Sequence, residues 1–470
     1  MATLTPARLT ATLEQRSCDV IVIGAGLSGL SAAHGAFRAQ PDSRILVIEA
    51  GPLGPRCHVD RLSASDSGFV RWCGEGQDPY IVPPSYQRRN WSGVARRVLG
   101  GRGIYWHGVL CKINPLEFAA DAAATDWLNR GGFLHGADSY FLVEEQLRSI
   151  GAFVPGGEGL PGAARVLPFR TTDRAIRPSG LPFAPLDYFD LTARDPAGVS
   201  VLADTSATSL SKRGNVWRVE LCRGGQCDYV EAGSVVLASG LLENCRLLET
   251  HYRTGQPYSF TDHLDAGVVC AVPSESPAFR PLMTTVGRRY LWDRSSTDGF
   301  NLFITCMAHE KRLVVIAWGT GEKDCRSPLV ADFSRAVGCV MGERSAVDRQ
   351  KDAVMSDAAH SALRSLLDAY GERQGIAIQA MVEETKAAVR RFNYDEPNPW
   401  SGAPYVSELG STDHEACLVN SALEFDVNGR AKDDPSLGLA GPAALKRMGS
   451  ANPNYTALVM ALRLGRELAG

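Results

Sequence analysis

Runs of apolar residues divide the chain into elements of two kinds. Residues 19–23 (DVIVI) are a continuous apolar, β-branched run, the mark of a strand buried on both faces of a parallel sheet. A glycine-rich turn follows, and then Leu27, Leu30, Ala33 and Phe37 fall at helical spacing. A second apolar run, ILVIE, ends at Glu49. Together they make a strand–helix–strand unit of about thirty residues, the size of a right-handed βαβ crossover. Short strands are expected again from about 200 to 240 (VSVLADT, VWRVELC), closing with the buried run SVVLASG. From 264 to 318 and from 376 to 384 apolar and polar residues alternate instead (GVVCAVP, NLFITCMAH, LVVIAWG, IAIQAMVEE), which predicts antiparallel strands of a separate sheet. Helices are expected near 116–127, near 137–150 and over 345–372. The terminal stretch ANPNYTALVMALRLGRELAG predicts one more helix, with Asn452 as its cap and Pro453 at its first position. Residues 52–100, rich in Gly, Pro, Arg and Trp, read as loop or extension.

Composition narrows the class of protein. A chain of 470 residues suggests two or three packing units. With 44% hydrophobic and 21% charged residues it is neither a disordered chain nor a coiled coil nor a collagen-like fibre. The formal net charge of −3, from 49 basic and 52 acidic side chains, advertises neither nucleic acid nor an anionic membrane as partner. No run approaches the ~20 apolar residues that cross a bilayer. The first apolar stretch runs straight into a glycine turn and so reads as a strand, not a signal peptide, and a cytoplasmic location is expected. The twelve cysteines are scattered, many within apolar stretches, as buried thiols of a reducing compartment are. Cys222 and Cys227 form the closest pair, but no second Cys/His pair stands nearby at matching spacing, so no metal site is expected.

The sharpest chemical signal is Gly24-Ala25-Gly26-Leu27-Ser28-Gly29. Gly24 permits the tight turn, Gly26 lets the backbone approach a pyrophosphate, and Gly29 lets helix and strand pack closely. The helix start offers unpaired N–H groups and a partial positive charge to phosphates. Glu49, followed by Ala50, ends the second strand 20 residues after Gly29, where a carboxylate accepts ribose hydroxyls. No arginine stands beside it to favour a 2′-phosphate. The position of the motif near the N-terminus suits FAD, which runs extended through a protein and needs contacts from distant segments.

Four later segments supply candidates for those contacts. They are Val98-Leu99-Gly100-Gly101-Arg102-Gly103-Ile104-Tyr105-Trp106-His107-Gly108; Val236-Leu237-Ala238-Ser239-Gly240 with Arg246-Leu247-Leu248; Asp262-His263-Leu264; and His414-Glu415-Ala416 with Gly441-Pro442-Ala443 and Gly449-Ser450-Ala451-Asn452-Pro453. In that order the set resembles the glucose–methanol–choline family of flavin-dependent alcohol oxidoreductases. The chain departs from the family pattern at Trp106-His107, where Asn-Gly is common, and at Cys417-Leu418, where glycines usually follow the catalytic histidine.

The resemblance implies an α/β fold: a discontinuous Rossmann-type FAD-binding domain (17–140, 199–258 and 405–470), a cap segment (141–198) and a substrate domain of mainly antiparallel sheet with helices (259–404). It implies FAD held by the glycine turn (Gly24, Gly26, Leu27, Ser28 and Gly29), by Glu49 and Ala50, by Gly100, Gly101, Arg102, Gly103, Trp106, His107 and Gly108, and by Gly240, Gly441, Asn452 and Tyr455. Family members with a histidyl flavin link carry that histidine four residues after the second glycine of the loop; Tyr105 stands there, so the flavin is expected to be non-covalent. His414 becomes the general base and Asn452 the partner of the substrate oxygen. The expected reaction is oxidation of an alcohol to a carbonyl by hydride transfer to the flavin. The expected substrate is a small polar, sugar-like or specialised-metabolite alcohol, such as an aminoglycoside intermediate; the electron acceptor, oxygen or another, stays open. His107 is a flavin-loop or substrate contact on this reading, and His263 is structural. Two alternatives stand beside it: an NAD(P)H-dependent flavin or disulfide reductase, and a flavin-binding protein with altered or lost turnover.

Overall fold

The computed structural model describes residues 16–53, 58, 81–82, 86–93, 95–133, 138–161, 167–189, 199–275, 280–284, 288–309, 312–334, 337–371, 404–410, 412 and 414–470. Strand β1 (Ser17–Ile23) leads through the glycine turn into helix α1 (Leu27–Ala39) and back to β2 (Ile45–Ile48), parallel to β1. β3 (Val199–Leu202) adds to the far edge of β2, again parallel. β4 (Ser206–Arg213), β5 (Val216–Arg223) and β6 (Gln226–Leu237) form a meander, and the second half of β6 pairs parallel with β1. The strand order is thus β3-β2-β1-β6-β5-β4. The central residues Ile21, Val22, Val47, Val235 and Val236 are almost completely buried, as the continuous apolar runs require. Helix α2 (Leu241–Tyr252) starts at Gly240, whose φ is +89°.

A second sheet rises from β7 (His263–Pro273), β8 (Arg289–Arg294), β9 (Phe300–His309) and β10 (Arg312–Glu322), all antiparallel neighbours. Helix α3 (Ala346–Gly371) covers one face; a Cβ at Gly319 would meet the Met355 side chain at 2.6 Å. β11 (Pro404–Val406) and the short strand Arg170–Thr171 complete the two edges. The chain then returns to the first sheet: β12 (Leu437–Leu439) pairs parallel with β6, and α4 (Asn454–Ala469) crosses α1. That crossing is close because it is lined with glycine: a Cβ at Gly35 would lie 2.3 Å from the Leu462 carbonyl oxygen, and one at Gly465 2.0 Å from that of Ala32. Among the described residues no helix is long and apolar enough to cross a membrane.

Local details depart from expectation in three places. The helix expected near 116–127 is a 3₁₀ turn (Pro115–Phe118) followed by a helix over Ala122–Arg130, because Asn114 and Asp121 each cap their own start. The last helix begins at Asn454 rather than just after Asn452. The Asn452 side chain still accepts the Asn454 N–H at 3.1 Å, closing a tight turn ahead of the helix. Strand β4 was not foreseen from pattern. The run at 376–384 lies outside the described residues.

Candidate active site

The glycine turn has the geometry its spacing calls for. Gly24 sits at φ +101°, and a Cβ there would meet the Ala238 carbonyl oxygen at 2.5 Å. A Cβ at Gly29 would fall 1.9 Å from the Gly24 carbonyl oxygen, so helix and strand meet at bare backbone. A Cβ at Gly26 would meet nothing within 4 Å: the space above this residue is open, as approach of a phosphate requires. Glu49 is buried, and its two oxygens accept the N–H groups of Ala25 (2.9 Å) and Gly51 (2.8 Å). Burial pushes its carboxyl up to about 7, against the pull of those hydrogen bonds.

Distant segments close on this turn. The Gly100 N–H donates to the Ala25 carbonyl at 2.9 Å, and a Cβ at Gly101 would stand 3.1 Å from the Gly26 Cα. Gly103 faces Leu27, and Gly441, at φ +89°, faces the Ser28 hydroxyl. Ala50, next after Glu49, is exposed. Trp106 is buried and donates its indole N–H to the Phe183 carbonyl. Gly108, at φ +66°, lies so close to Ala175 that a Cβ would meet its carbonyl oxygen at 2.4 Å. Tyr455 is different: its side chain is fully buried against Tyr140 and its hydroxyl donates to Glu144, so only its backbone is left for a ligand.

His414 and Asn452 are brought together through strand register. Strand Tyr258–Thr261 runs antiparallel to strand Ala416–Val419, with Thr261 opposite Ala416. Continuing that register by two residues sets His263 opposite His414. Their Nδ1 atoms lie 2.8 Å apart, with the rings perpendicular. The His263 Nε2 lies 2.8 Å from the Gly449 carbonyl, and the His414 Nε2 lies 3.1 Å from the Asn452 side-chain nitrogen. A carbonyl only accepts and an amide nitrogen only donates. For two neutral rings the chain of bonds has therefore one solution. His263 donates from Nε2 to Gly449, His414 donates from Nδ1 to His263, and Asn452 donates to a bare Nε2 on His414. Burial keeps both rings neutral, with His263 pushed down to about 4 and His414 well below its ordinary value. His263, read from sequence as structural, thus fixes the tautomer of its neighbour.

The loop that carries Asn452 is held from below. Arg447 grips Glu322 with two guanidinium nitrogens (3.0 and 2.8 Å) and Asp121 with a third (2.6 Å). Glu322 also accepts the N–H groups of Met448 and Gly449, each at 3.2 Å. Glu117 accepts both the N–H and the hydroxyl of Ser450, each at 3.0 Å, while Asn301 donates to the Ser450 carbonyl at 3.1 Å. Sequence gave no sign of these acids, which look like ordinary surface charge until the loop is in place. Beyond the histidine, Glu415 forms a two-pronged ion pair with Arg102, 3.1 Å on its longer arm, tying the His414 segment to the Gly100–Gly103 loop. His107 sits ahead of Gly108, and burial together with the charge of Arg289 holds its ring neutral.

Cys417 explains one departure noted above. Its φ is +59°, the left-handed region that favours glycine. The backbone shape that glycine would supply after His414 is kept, and a cysteine bears it. Cys222 and Cys227 face each other across the β5–β6 hairpin, away from the strand that enters the glycine turn. They are therefore not placed as a redox pair at the first helix, which removes the sequence basis for a disulfide reductase.

No protein-family model matches the chain, and no curated protein matches its sequence. Among solved structures, pyridoxine 4-oxidase from Mesorbium loti superposes with a TM-score of 0.61 at 15% identity, over 96% of this chain and 99% of that one. The chain described here has the fold of pyridoxine 4-oxidase.

Proposed function

We propose that the protein is an FAD-dependent alcohol oxidoreductase of the glucose–methanol–choline type, with non-covalent FAD. The observation that carries this reading is the bare Nε2 of His414, presented beside Asn452 by a hydrogen-bond chain that admits one tautomer. The open space over Gly26, the close approach of Gly101 and Gly441 to the turn, and the buried Glu49 fit an FAD pyrophosphate and ribose. Each Glu49 oxygen uses one lone pair on the turn and retains another for a ribose hydroxyl.

FAD, when bound, supplies the acceptor for a hydride from the carbinol carbon. The chain supplies the rest. His414 Nε2 has one lone pair, which accepts the Asn452 N–H in this structure; the substrate hydroxyl takes that place, and the ring, kept neutral by burial, accepts its proton. Asn452 has a second N–H for the substrate oxygen, so the alcohol is held at two points, and positioning contributes much of the rate. Glu322 and Glu117 hold the loop, and with it the Gly449 carbonyl that orders the histidine pair.

The test is anaerobic stopped-flow reduction of the purified yellow protein by a panel of alcohols, without NADPH. His414→Ala is expected to slow flavin reduction by about 10²–10⁴-fold, the contribution of a positioned proton acceptor, with FAD content unchanged. Reduction of the variant at the wild-type rate would remove His414 from the role, and reduction by NADPH alone would favour the reductase alternative.

A further inference from the structure

The ladder between strands Tyr258–Thr261 and Ala416–Val419 ends at Thr261 and Ala416. Both histidines lie beyond that end, and among the described residues no backbone pair of the ladder continues to them. A hydrogen bond between two ring nitrogens weakens steeply as its length and angle drift. The 2.8 Å between the rings therefore needs a support other than strand pairing.

One carboxyl group spans the gap. Asp262 is completely buried, and its Oδ1 accepts two hydrogen bonds, from the His263 N–H at 2.7 Å and from the Thr412 hydroxyl at 2.8 Å. The first donor belongs to the residue that orients the base, and the second stands two residues before the base itself. A single oxygen atom thus ties together the two segments that carry the histidine pair. The main chain of Asp262 is fixed in turn: its carbonyl accepts the Lys323 N–H at 3.0 Å, and the Lys323 ammonium is buried in an ion pair with Asp348 of α3, also at 3.0 Å. Burial, with the nearby Glu415 charge, raises the Asp262 carboxyl to about 8. At neutral pH it is mostly the uncharged acid, and asparagine reproduces its shape and its accepting oxygen.

We propose that Asp262 and Thr412 are positioning residues for the base: the bond between them holds His263 and His414 at bonding distance and so keeps the His414 Nε2 unprotonated. The inference rests on the alcohol-oxidising reading and extends its machinery by two residues.

Thr412→Val carries the test, because it keeps the shape of the side chain and removes only the hydroxyl, whereas Asp262→Ala also strips a buried acceptor and costs folding stability. In anaerobic stopped-flow with an alcohol that reduces the wild type, Thr412→Val is expected to lower the limiting rate of flavin reduction about 10-fold. FAD content and the dissociation constant of the alcohol should stay as in the wild type. Thr412→Ser and Asp262→Asn, which keep the hydroxyl and the accepting oxygen, should each retain most of the wild-type rate. In a His263→Ala background Thr412→Val should cost less than about 2-fold, since the pair it supports is already gone. A wild-type rate in Thr412→Val, a loss confined to alcohol affinity, or full multiplication of the two losses would overturn the proposal.

The ring tautomer is read without substrate, by nuclear magnetic resonance of FAD-loaded protein with isotope-labelled histidines. The His414 ring nitrogens, assigned by their loss in His414→Ala, should show one tautomer, protonated at Nδ1. In Thr412→Val a share of the Nε2-protonated form should appear; a single unchanged tautomer would overturn the positioning role. Should no alcohol reduce the wild type, the alcohol reading falls, and the tautomer still decides: a mixture in Thr412→Val keeps the positioning, and a single form discards it.

Discussion

His263 and His414 face each other nitrogen to nitrogen, 2.8 Å apart, across 151 residues of sequence. The contact is directional, because the Gly449 carbonyl at the far side of His263 admits only a donor. His263→Ala is expected to lower the rate of flavin reduction by about 10- to 100-fold without loss of FAD, since His414 is then free to place its proton on the wrong nitrogen. His263→Gln, which can both donate to Gly449 and accept from His414, should recover part of the rate. Single-turnover kinetics of the two variants checks this; equal rates in both would make His263 a packing residue only.

The pH profile follows from the same pair. A base works when deprotonated, so the rate falls as pH drops through its pKa. Burial holds the His414 pKa well below that of a free imidazole. Flavin reduction should therefore stay level from neutral pH to below 6.5 and fall only in more acid solution. A limb centred at the free-histidine value would show that the ring is solvated in the working enzyme.

Glu117 predicts a stability effect of definite sign. Burial raises its carboxyl to about 7 in the folded protein, against an ordinary value near 4.5. The folded state then holds the proton more tightly, so this stability is present at low pH and is lost as pH rises from about 4.5 through 7. The loss is at most about 3 kcal/mol. Glu117→Gln should remove that part of the slope, measured as the difference between wild-type and variant melting temperatures across the same pH range. Parallel curves would place the Glu117 carboxylate in water.

For the cofactor, Glu49→Ala should weaken FAD retention by about 1–3 kcal/mol, the scale of a charge-assisted hydrogen bond. Acid precipitation of the wild type should release all yellow colour to the supernatant, because Tyr105 occupies the place of a linking histidine and is itself buried under the Arg96 guanidinium. Colour in the pellet would refute the non-covalent reading.

Much of the fold was legible because strands buried on both faces leave an unmistakable trace: DVIVI, ILVI and SVVL are the three central strands of the first sheet. The alternating runs GVVCAVP, NLFITCMAH and LVVIAWG likewise became β7, β9 and β10. What pattern could not show was long-range register. Nothing local to Asp262-His263-Leu264 reveals that His263 will stand opposite His414; that follows only from the pairing of Thr261 with Ala416. The same holds for Glu322, which ends an ordinary alternating strand yet takes up three groups of the Asn452 loop. The break at Ala119–Asp121 was missed because two local caps outweighed a helical period that ran through them.

Cys417 offers a check on backbone strain. Its φ of +59° costs a non-glycine residue about 1 kcal/mol or more. Cys417→Gly relieves that cost but gives up a small buried side chain, so the variant should fold with stability within about 1 kcal/mol of wild type. Cys417→Val, β-branched in the same conformation, should be clearly less stable. Thermal melts of the two variants decide it; equal melting points would mean the backbone relaxes.

The clamp on residues 447–450 bears on how such a chain can diversify. Its anchors on the second sheet lie at the loop end of the strands, at Glu322 and Asn301, whereas the layers at Trp318 and Arg289 make none of these bonds. On the proposed reading, substitutions around Trp318 alter the wall and leave the hydrogen-bonded histidine pair standing, while a change at Glu322 disturbs both. If the proposed reading holds, the fold has a permissive direction, outward along β9 and β10, in which the wall can change shape while the base stays in place.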